Sequence, residues 1–247
     1  MITTGSTTVA ADAFAVAGVT SVRIDARVSG GTFAPVCTDA GAPYSCAWST
    51  AALASGTWEL RAVMTPVTGA AVTSATVSVT VDNAVLKAHD VQALNSGTSG
   101  RVNAGDQVVL TYSTLVSPST IKAGWTGAST PVTVTMKDKG VNGTGTGSDR
   151  METDTNLGYV AFVQDYLKNN KSTTLTGSTM TATAATVAGV QVTVVTITLG
   201  TPDTSALRTA ATLGAMKWFP SAAARTPGGL ACSTAAATES GANDKDL

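Results

Sequence analysis

Residues 36–64 read VCTDAGAPYSCAWSTAALASGTWELRAVM. Two cysteines, Cys37 and Cys46, flank a turn-rich segment, and Trp48 follows two positions after the second cysteine. A Gly-Thr turn then leads into an alternating run of apolar and polar residues that reaches Val63. Alternation at period two is typical of a half-buried β-strand. The stretch therefore predicts a small all-β domain of the kind found in oxidising, extracellular compartments.

The rest of the chain carries the same signals. Thr and Val recur at period two, and Gly, Pro, Asn and Asp cluster between these runs, where turns require them. The pattern predicts two tandem antiparallel β-sandwich domains, covering residues 1–83 and 84–247. The first has the size of an immunoglobulin-like sandwich. In the larger second domain, Gly140–Asp154 is rich in Gly and Thr and is expected to form a long exposed hairpin loop.

The composition excludes several classes of function. The 247 residues include 15 Lys and Arg and 16 Asp and Glu, for a net charge of −1. With no basic face, we expect no nucleic-acid partner. No apolar run approaches the roughly 20 residues of a membrane span, so no membrane insertion is expected. The first residues, Met1–Gly5, lack the features of a signal peptide. If secreted, the chain is expected to be a mature product or part of a longer polypeptide.

The sequence offers little for catalysis. His89 is its one histidine and lies close to the predicted domain boundary, without a Gly-x-Ser-x-Gly motif to accompany it. The zinc and nucleotide-binding patterns are likewise absent from the sequence. We therefore predict a non-enzymatic protein with no catalytic residues and no cofactor.

Asp149, Glu152 and Asp154 form the densest group of side-chain oxygens in the sequence. Calcium binds six to eight oxygen ligands, often from such a loop. The spacing differs from that of an EF-hand, and Arg150 would compete with a cation. A solvated loop without metal is the main expectation, and a calcium site is the alternative.

Tryptophans raise the question of sugar binding. Trp48 and Trp58 fall at strand positions and are expected in the core. Trp125 lies between Gly124 and Gly127, so it is a candidate exposed platform for stacking against a glycan.

The cysteines leave alternatives open. Cys37 and Cys46 are nine positions apart across a segment that contains Gly41 and Pro43. A hairpin there would bring their Cα atoms within the roughly 4.4–6.8 Å of a disulfide; the alternative is two reduced, buried thiols. Cys232 is then left over, either as a buried free thiol or as one half of an intermolecular disulfide.

The first domain resembles a bacterial immunoglobulin-like domain. The resemblance covers most of residues 7–83 and is carried by Val36–Asp39, Pro43–Thr50, Gly56–Val63 and the exit strand Val77–Val81. It implies a secreted or cell-surface protein, and it favours the disulfide over two reduced thiols. Where the family has an Asp-x-x-Gly-Asn turn, this chain has Thr65–Ala70, so calcium binding at that turn is not expected.

The C-terminal part resembles a module found beside such domains in surface proteins of high-GC Gram-positive bacteria. The matching segments include Asp90–Ala93, Ala104–Val108, Ala123–Gly127 and Trp218–Ala222. The resemblance implies an exposed structural or adhesive part of a cell-surface protein.

Together these observations predict a subunit of a surface filament, pilus-like fibre or surface layer, with other copies of the chain as partners. The segment Ile2–Val9 is extended in character and lacks Pro and charge. Such a strand can add to the sheet edge of a neighbouring copy, or it can pair within its own sheet. The alternative function is an adhesin or a carbohydrate-binding accessory module, with surface glycans as partners.

Overall fold

A computed structural model describes residues 2–138, 149–203 and 206–247. These residues form twenty strands and one four-residue helix, and the predicted all-β class is confirmed. The chain divides into two compact units, Met1–Ala84 with Pro227–Leu230, and Val85–Thr226 with Ala231–Leu247. The division falls one residue after the predicted boundary. The return of Pro227–Leu230 to the first unit was not predicted.

The first unit contains eight strands: β1 (Ile2–Thr3), β2 (Ser6–Ala11), β3 (Val19–Val28), β4 (Ala34–Asp39), β5 (Tyr44–Ser49), β6 (Gly56–Pro66), β7 (Val72–Thr73) and β8 (Val77–Val81). Six of them form one sheet in the order β1-β8-β6-β3-β4, with β7 paired to β6. The other two, β2 and β5, form a separate two-stranded sheet.

The two sheets of the first unit enclose a small core. Trp48 from β5 meets Trp58 from β6 edge to face, with ring centroids 6.0 Å apart. Ala26, Val79 and Val81 of the larger sheet are buried in the same cluster. Both tryptophans thus pack in the core, as the sequence predicted.

The N-terminal segment pairs within its own unit. β1 runs parallel to β8, with Ile2 opposite Thr80, and β2 runs antiparallel to β5, with Val9 opposite Cys46. Of the two pairings that the sequence left open, the structure therefore has pairing within the chain's own sheets. Exchange of these strands with a neighbouring copy would require them to leave both ladders, whereas edge-to-edge addition would not.

The second unit contains helix α1 (Pro118–Ile121) and twelve strands: β9 (Ala88–Leu94), β10 (Gln107–Tyr112), β11 (Thr130–Pro131), β12 (Val134–Asp138), β13 (Asp149–Thr153), β14 (Tyr159–Ala161), β15 (Ser172–Thr176), β16 (Thr179–Val187), β17 (Val190–Thr198), β18 (Thr201–Pro202), β19 (Lys217–Phe219) and β20 (Ala237–Thr238). Five form a sheet in the order β11-β16-β17-β10-β9. The other seven form a second sheet in the order β18-β15-β12-β13-β14-β19-β20.

Side chains from both of these sheets form one continuous hydrophobic core. At its centre, Trp218 of β19 meets Tyr112 of β10 edge to face, with ring centroids 4.7 Å apart. The indole Nε1–H of Trp218 donates a 2.8 Å hydrogen bond to the Leu157 carbonyl oxygen. A buried aromatic pair thus joins the two layers of the second sandwich.

The predicted loop Gly140–Asp154 is wrong at its C-terminal end. Asp149–Thr153 is strand β13, which pairs with β12 in a register that places Asp138 opposite Asp149. Asp149 and Met151 are buried and separated by the partly exposed Arg150, the alternation of a half-buried strand. Residues 140–148 of the predicted loop lie outside the described residues.

Candidate functional site

The first unit has an open apolar groove of about 440 Å³ between its two sheets. One wall is β2 and the residue after it, and the apolar side chains around the groove include Ile24, Trp48, Leu60, Val77 and Val79. The groove exists because the two-stranded sheet covers only a fraction of the six-stranded sheet. Among the described residues, β2 pairs only with β5, so its other edge presents unpaired backbone groups.

Two charged residues, Asp12 and Arg61, line the groove. The Nε of Arg61 donates a 3.1 Å hydrogen bond to Asp25, which also accepts one of 2.7 Å from Arg23. Burial raises the pKa of Asp25, but the two guanidinium groups outweigh it and hold this pKa below its usual value. Arg61 is therefore paired with an ionised carboxylate, and the groove carries no free positive charge from it.

Exposed apolar side chains follow β2 directly. Phe14 is 84% exposed, and Val16 in the same segment is almost completely exposed. We call residues 13–18 the apolar loop. Exposed apolar side chains that follow one another in this way are typical of a protein interaction surface.

Cys37 and Cys46 form a disulfide, with Cα atoms 6.4 Å apart. The sequence predicted that a hairpin would bring them together. Instead, Cys37 lies in β4 at the edge of the six-stranded sheet and Cys46 lies in β5 of the two-stranded sheet. The disulfide therefore joins the two layers of the first sandwich.

Replacing both Cys37 and Cys46 with serine should destabilise the first unit by about 2–3 kcal/mol, since the disulfide closes a loop of about ten residues in the unfolded chain. Urea unfolding, monitored by hydrogen exchange of first-unit amides, measures the loss of unfolding free energy. Wild-type protein in dithiothreitol should behave like the double variant, and the variant should not respond to dithiothreitol. An unfolding midpoint equal to that of oxidised wild type would contradict the prediction.

Cys232 is a free thiol buried in the second unit. Its Sγ lies 3.3 Å from the Ser233 carbonyl oxygen, and burial raises its pKa to about 11. A buried, protonated thiol reacts slowly. Cys232 is a buried free thiol in the single chain, and an intermolecular disulfide, the other expectation for this residue, would require the core to open.

The expectation that Trp125 is an exposed glycan platform is wrong. Its side chain is part of the hydrophobic core of the second unit, and the residue is only 7% exposed. Gly124 and Gly127, at φ +73° and +97°, turn the chain back so that the indole Nε1–H reaches the Ala128 carbonyl oxygen at 2.6 Å. The ring lies at the edge of a pocket of about 250 Å³, but with this little exposure it does not form an open platform.

The predicted calcium ligands Asp149, Glu152 and Asp154 are not brought together. Asp149 points into the core, whereas Glu152 pairs with Lys137 at 2.6 Å and with Arg150 at 2.7 Å. Asp154 accepts a 2.9 Å hydrogen bond from the Thr133 amide. The reason is the strand: positions 149 and 152 of β13 are an odd number of residues apart and lie on opposite faces.

Asp149 instead lies beside two aspartates that sequence reasoning missed, Asp138 and Asp165. One carboxylate oxygen from each lies within 4.8 Å of the others. The Oδ2 of Asp149 accepts hydrogen bonds from the backbone amides of Tyr166 and Leu167. The pairing of Asp138 with Asp149 across the β12–β13 ladder is the signal that would have found this cluster, once the hairpin register was known.

A second group of carboxylates comprises Glu239, Asp244 and Asp246. Burial, together with the neighbouring carboxylates of Glu239 and Asp244, raises the pKa of Asp246 to about 9. The neutral form of Asp246 is thus favoured by its surroundings. Glu239 is partly exposed and Asp244 is exposed, so this group is less enclosed than the three aspartates.

One protein family matches part of the first domain. A family model described as a bacterial Ig domain matches residues 1–62. The resemblance of the first domain to bacterial immunoglobulin-like domains is thereby confirmed, and such domains are typical of extracellular structural or accessory modules. The resemblance of the C-terminal part to a surface-protein module stays a prediction.

Among solved structures, the chain is similar to one from "Structures of Clostridium thermocellum CbhA fibronectin(III)-like modules". The two are 13% identical over 82% of this chain and 85% of that chain, with a TM-score of 0.28. No curated protein matches the chain. Within the part of the chain that the structure describes, no helix has the length and apolar character needed to cross a membrane.

Proposed function

We propose that this chain is a non-enzymatic extracellular structural protein that assembles with copies of itself into a surface filament, pilus-like fibre or surface layer. The observation that carries the proposal is the apolar groove of the first unit, with the free edge of β2 along one wall. The exposed Phe14 lies in the loop that follows β2 in the chain. An extracellular location follows the family of the first domain.

The geometry favours an open assembly. The apolar loop and the groove are different surfaces, so a contact in which the loop of one copy enters the groove of the next is heterologous. Heterologous contacts repeat along a line unless their rotation closes a ring. The net charge of −1 removes the repulsion that keeps many proteins monomeric. This contact leaves β1 and β2 in their own ladders, so assembly does not depend on strand addition by Ile2–Val9.

A non-enzymatic role is supported by the small number of side chains suited to acid–base chemistry near neutral pH. His89 is the one histidine, and it is exposed on β9. The groove is lined mainly by aliphatic side chains, Trp48 and threonines. Such a surface suits association by apolar contact.

Placing a charge in the groove tests the proposal. Val77 lines the groove and is 62% exposed, whereas Val72 is 56% exposed and does not line it. Val77→Glu should weaken self-association by about tenfold or more, because the carboxylate would be desolvated without a partner. Val72→Glu, the matched control, should associate like wild type. Sedimentation velocity over a concentration series and negative-stain electron microscopy provide the measurements.

Two results would contradict this proposal. One is wild-type protein that stays monomeric at the highest concentration reached. The other is an equal effect of the two glutamate substitutions, which would attribute the loss to charge alone and not to the groove.

The alternative function, an adhesin or carbohydrate-binding accessory module, loses its specific support because Trp125 is buried. A glycan array on the purified chain remains its direct test. Strong binding to one class of surface glycan by a chain that stays monomeric would favour it over assembly.

A further inference from the structure

We propose that Asp138, Asp149 and Asp165 form a calcium-binding site in the second unit, the three-aspartate site. It joins the base of the β12–β13 hairpin to the segment 164–170. It is separate from the groove, and it does not depend on self-assembly.

The first argument is hydrogen bonding. The Oδ2 atoms of all three aspartates are engaged: Asp149 by two backbone amides, Asp138 by the Asn170 amide and Asp165 by Arg208. The Oδ1 atoms of all three are buried without a hydrogen-bond partner. Buried carboxylate oxygens are almost always paired, since leaving them unpaired is costly.

Burial distinguishes these carboxylates from ordinary surface aspartates, which are solvated. Asp149 is 0% exposed and Asp138 is 9% exposed, so neither side chain is solvated as a surface carboxylate would be. A cation held between the three Oδ1 atoms would provide the partner that each of them lacks. The backbone amides on the Oδ2 atoms already fix the orientation of Asp149 and Asp138, which leaves these carboxylates little freedom to turn away.

The spacing fits calcium. Calcium–oxygen distances of about 2.3–2.6 Å place opposite ligands about 4.6–5.2 Å apart. Three carboxylate oxygens, one from each aspartate, lie within 4.8 Å of one another, close enough to share one cation. Calcium accepts six to eight oxygen ligands in a flexible geometry, whereas magnesium demands a near-ideal octahedron with bonds of about 2.0–2.1 Å. Water would supply the remaining ligands.

The local charge is negative. Arg208 pairs with Asp165, so one guanidinium group faces three carboxylates. Burial raises the pKa of Asp149 to about 7 in spite of its two amide hydrogen bonds, and the charge of Asp138 adds to the rise. A divalent ion between the three carboxylates would offset this concentration of like charge.

The test is calcium binding to the full chain after treatment with EDTA. Titration calorimetry with CaCl2 should give a Kd between about 10 μM and 1 mM, the range from sensors to extracellular modules. At roughly 10–100 times Kd, calcium should raise the Tm of the second unit by about 3–10 °C. MgCl2 at the same concentration should give a much smaller rise.

Variants locate the ion. Asp165→Asn and Asp138→Asn should each weaken binding by about tenfold or more, as expected when a charged ligand is removed. Arg208→Gln should tighten binding, because it removes the competing cation, and a purely structural role of the cluster would not produce that gain. Asp154→Asn is the matched control, since Asp154 lies on the same hairpin outside the site. Because Asp149→Asn can fail to fold, the test rests on the other two aspartates.

The proposal is overturned by any of four results. The first is calcium addition without heat or Tm shift, and the second is wild-type affinity in both Asp165→Asn and Asp138→Asn. The third is loss of binding in Asp244→Asn alone, which would place the ion at the second carboxylate group. The fourth is an equal response to magnesium, which would overturn the assignment to calcium.

Discussion

Trp218→Ala should destabilise the second unit by about 3–5 kcal/mol, the usual range for removing a buried tryptophan. The indole is fully buried between the two sheets, where it contacts Tyr112 of the opposite layer and donates to the Leu157 carbonyl oxygen. Alanine would leave a cavity at the centre of the core and an unpaired buried carbonyl. Urea denaturation with circular dichroism measures the loss as a shift of the midpoint.

The adjacent residue on β19 provides the matched control. Phe219 is half-buried and stacks on Tyr159, with ring centroids 4.6 Å apart, on the other face of the strand. Phe219→Ala should destabilise the unit clearly less than Trp218→Ala. Trp218→Phe should fall between the two, because it keeps a ring in the core but loses the hydrogen bond to Leu157. Equal effects at 218 and 219 would show that this core does not depend on the aromatic pair.

Gly158→Ala should also be strongly destabilising, by roughly 2–5 kcal/mol from the combined penalties of a left-handed backbone and an overpacked contact. The φ of Gly158 is +84°, and a Cβ there would lie 2.0 Å from the Phe219 carbonyl oxygen. That oxygen belongs to the strand with which β14 pairs, so the methyl group would push β14 away from β19. Thermal unfolding of the variant provides the measurement.

Gly177 separates the two penalties. Its φ of +83° is almost the same, but a Cβ there would meet nothing within 4 Å. Gly177→Ala should therefore cost only the conformational penalty of about 1–2 kcal/mol, and the excess at position 158 measures the close approach of two strands. If both variants unfold at the same temperature, the close contact with Phe219 is absorbed by a small backbone shift.

Local sequence pattern was enough to predict the class of the fold. Period-two alternation predicted strands at β6 and β8, and the resemblance carried by residues 36–63 predicted both the bacterial immunoglobulin-like domain and the disulfide. These features depend on residues close together in the chain. Burial of Trp48 follows from the same local pattern, since it lies on the inward face of a short strand.

Features that depend on pairing across the chain were not predictable in the same way. The sequence placed Cys37 and Cys46 in one hairpin, but β4 joins the larger sheet and β5 pairs with the distant β2. Trp125 looked exposed because glycines flank it, yet they turn the chain so that the ring enters the core.

The three-aspartate site could not be predicted from the sequence for the same reason. It needs the register that places Asp138 opposite Asp149, and it needs Asp165, which a loop of the second unit brings to the same place. The sequence pointed to Asp149 as a calcium ligand but grouped it with its neighbours along the chain. In a β-strand the next residue along the chain points to the other face, so the partners of a buried carboxylate come from other parts of the chain.

The parallel pairing of β1 with β8 has a mechanical consequence. The first and last strands of the first unit lie side by side, and the ladder continues with the Asp82 amide donating to the Thr3 carbonyl oxygen at 3.0 Å. When opposite ends of parallel neighbours are pulled apart, the strands slide along each other, and all their hydrogen bonds are loaded at once. Under tension along a chain of such units, the hydrogen bonds between β1 and β8 would therefore have to break together. In an antiparallel hairpin pulled at its open end, they would break one at a time.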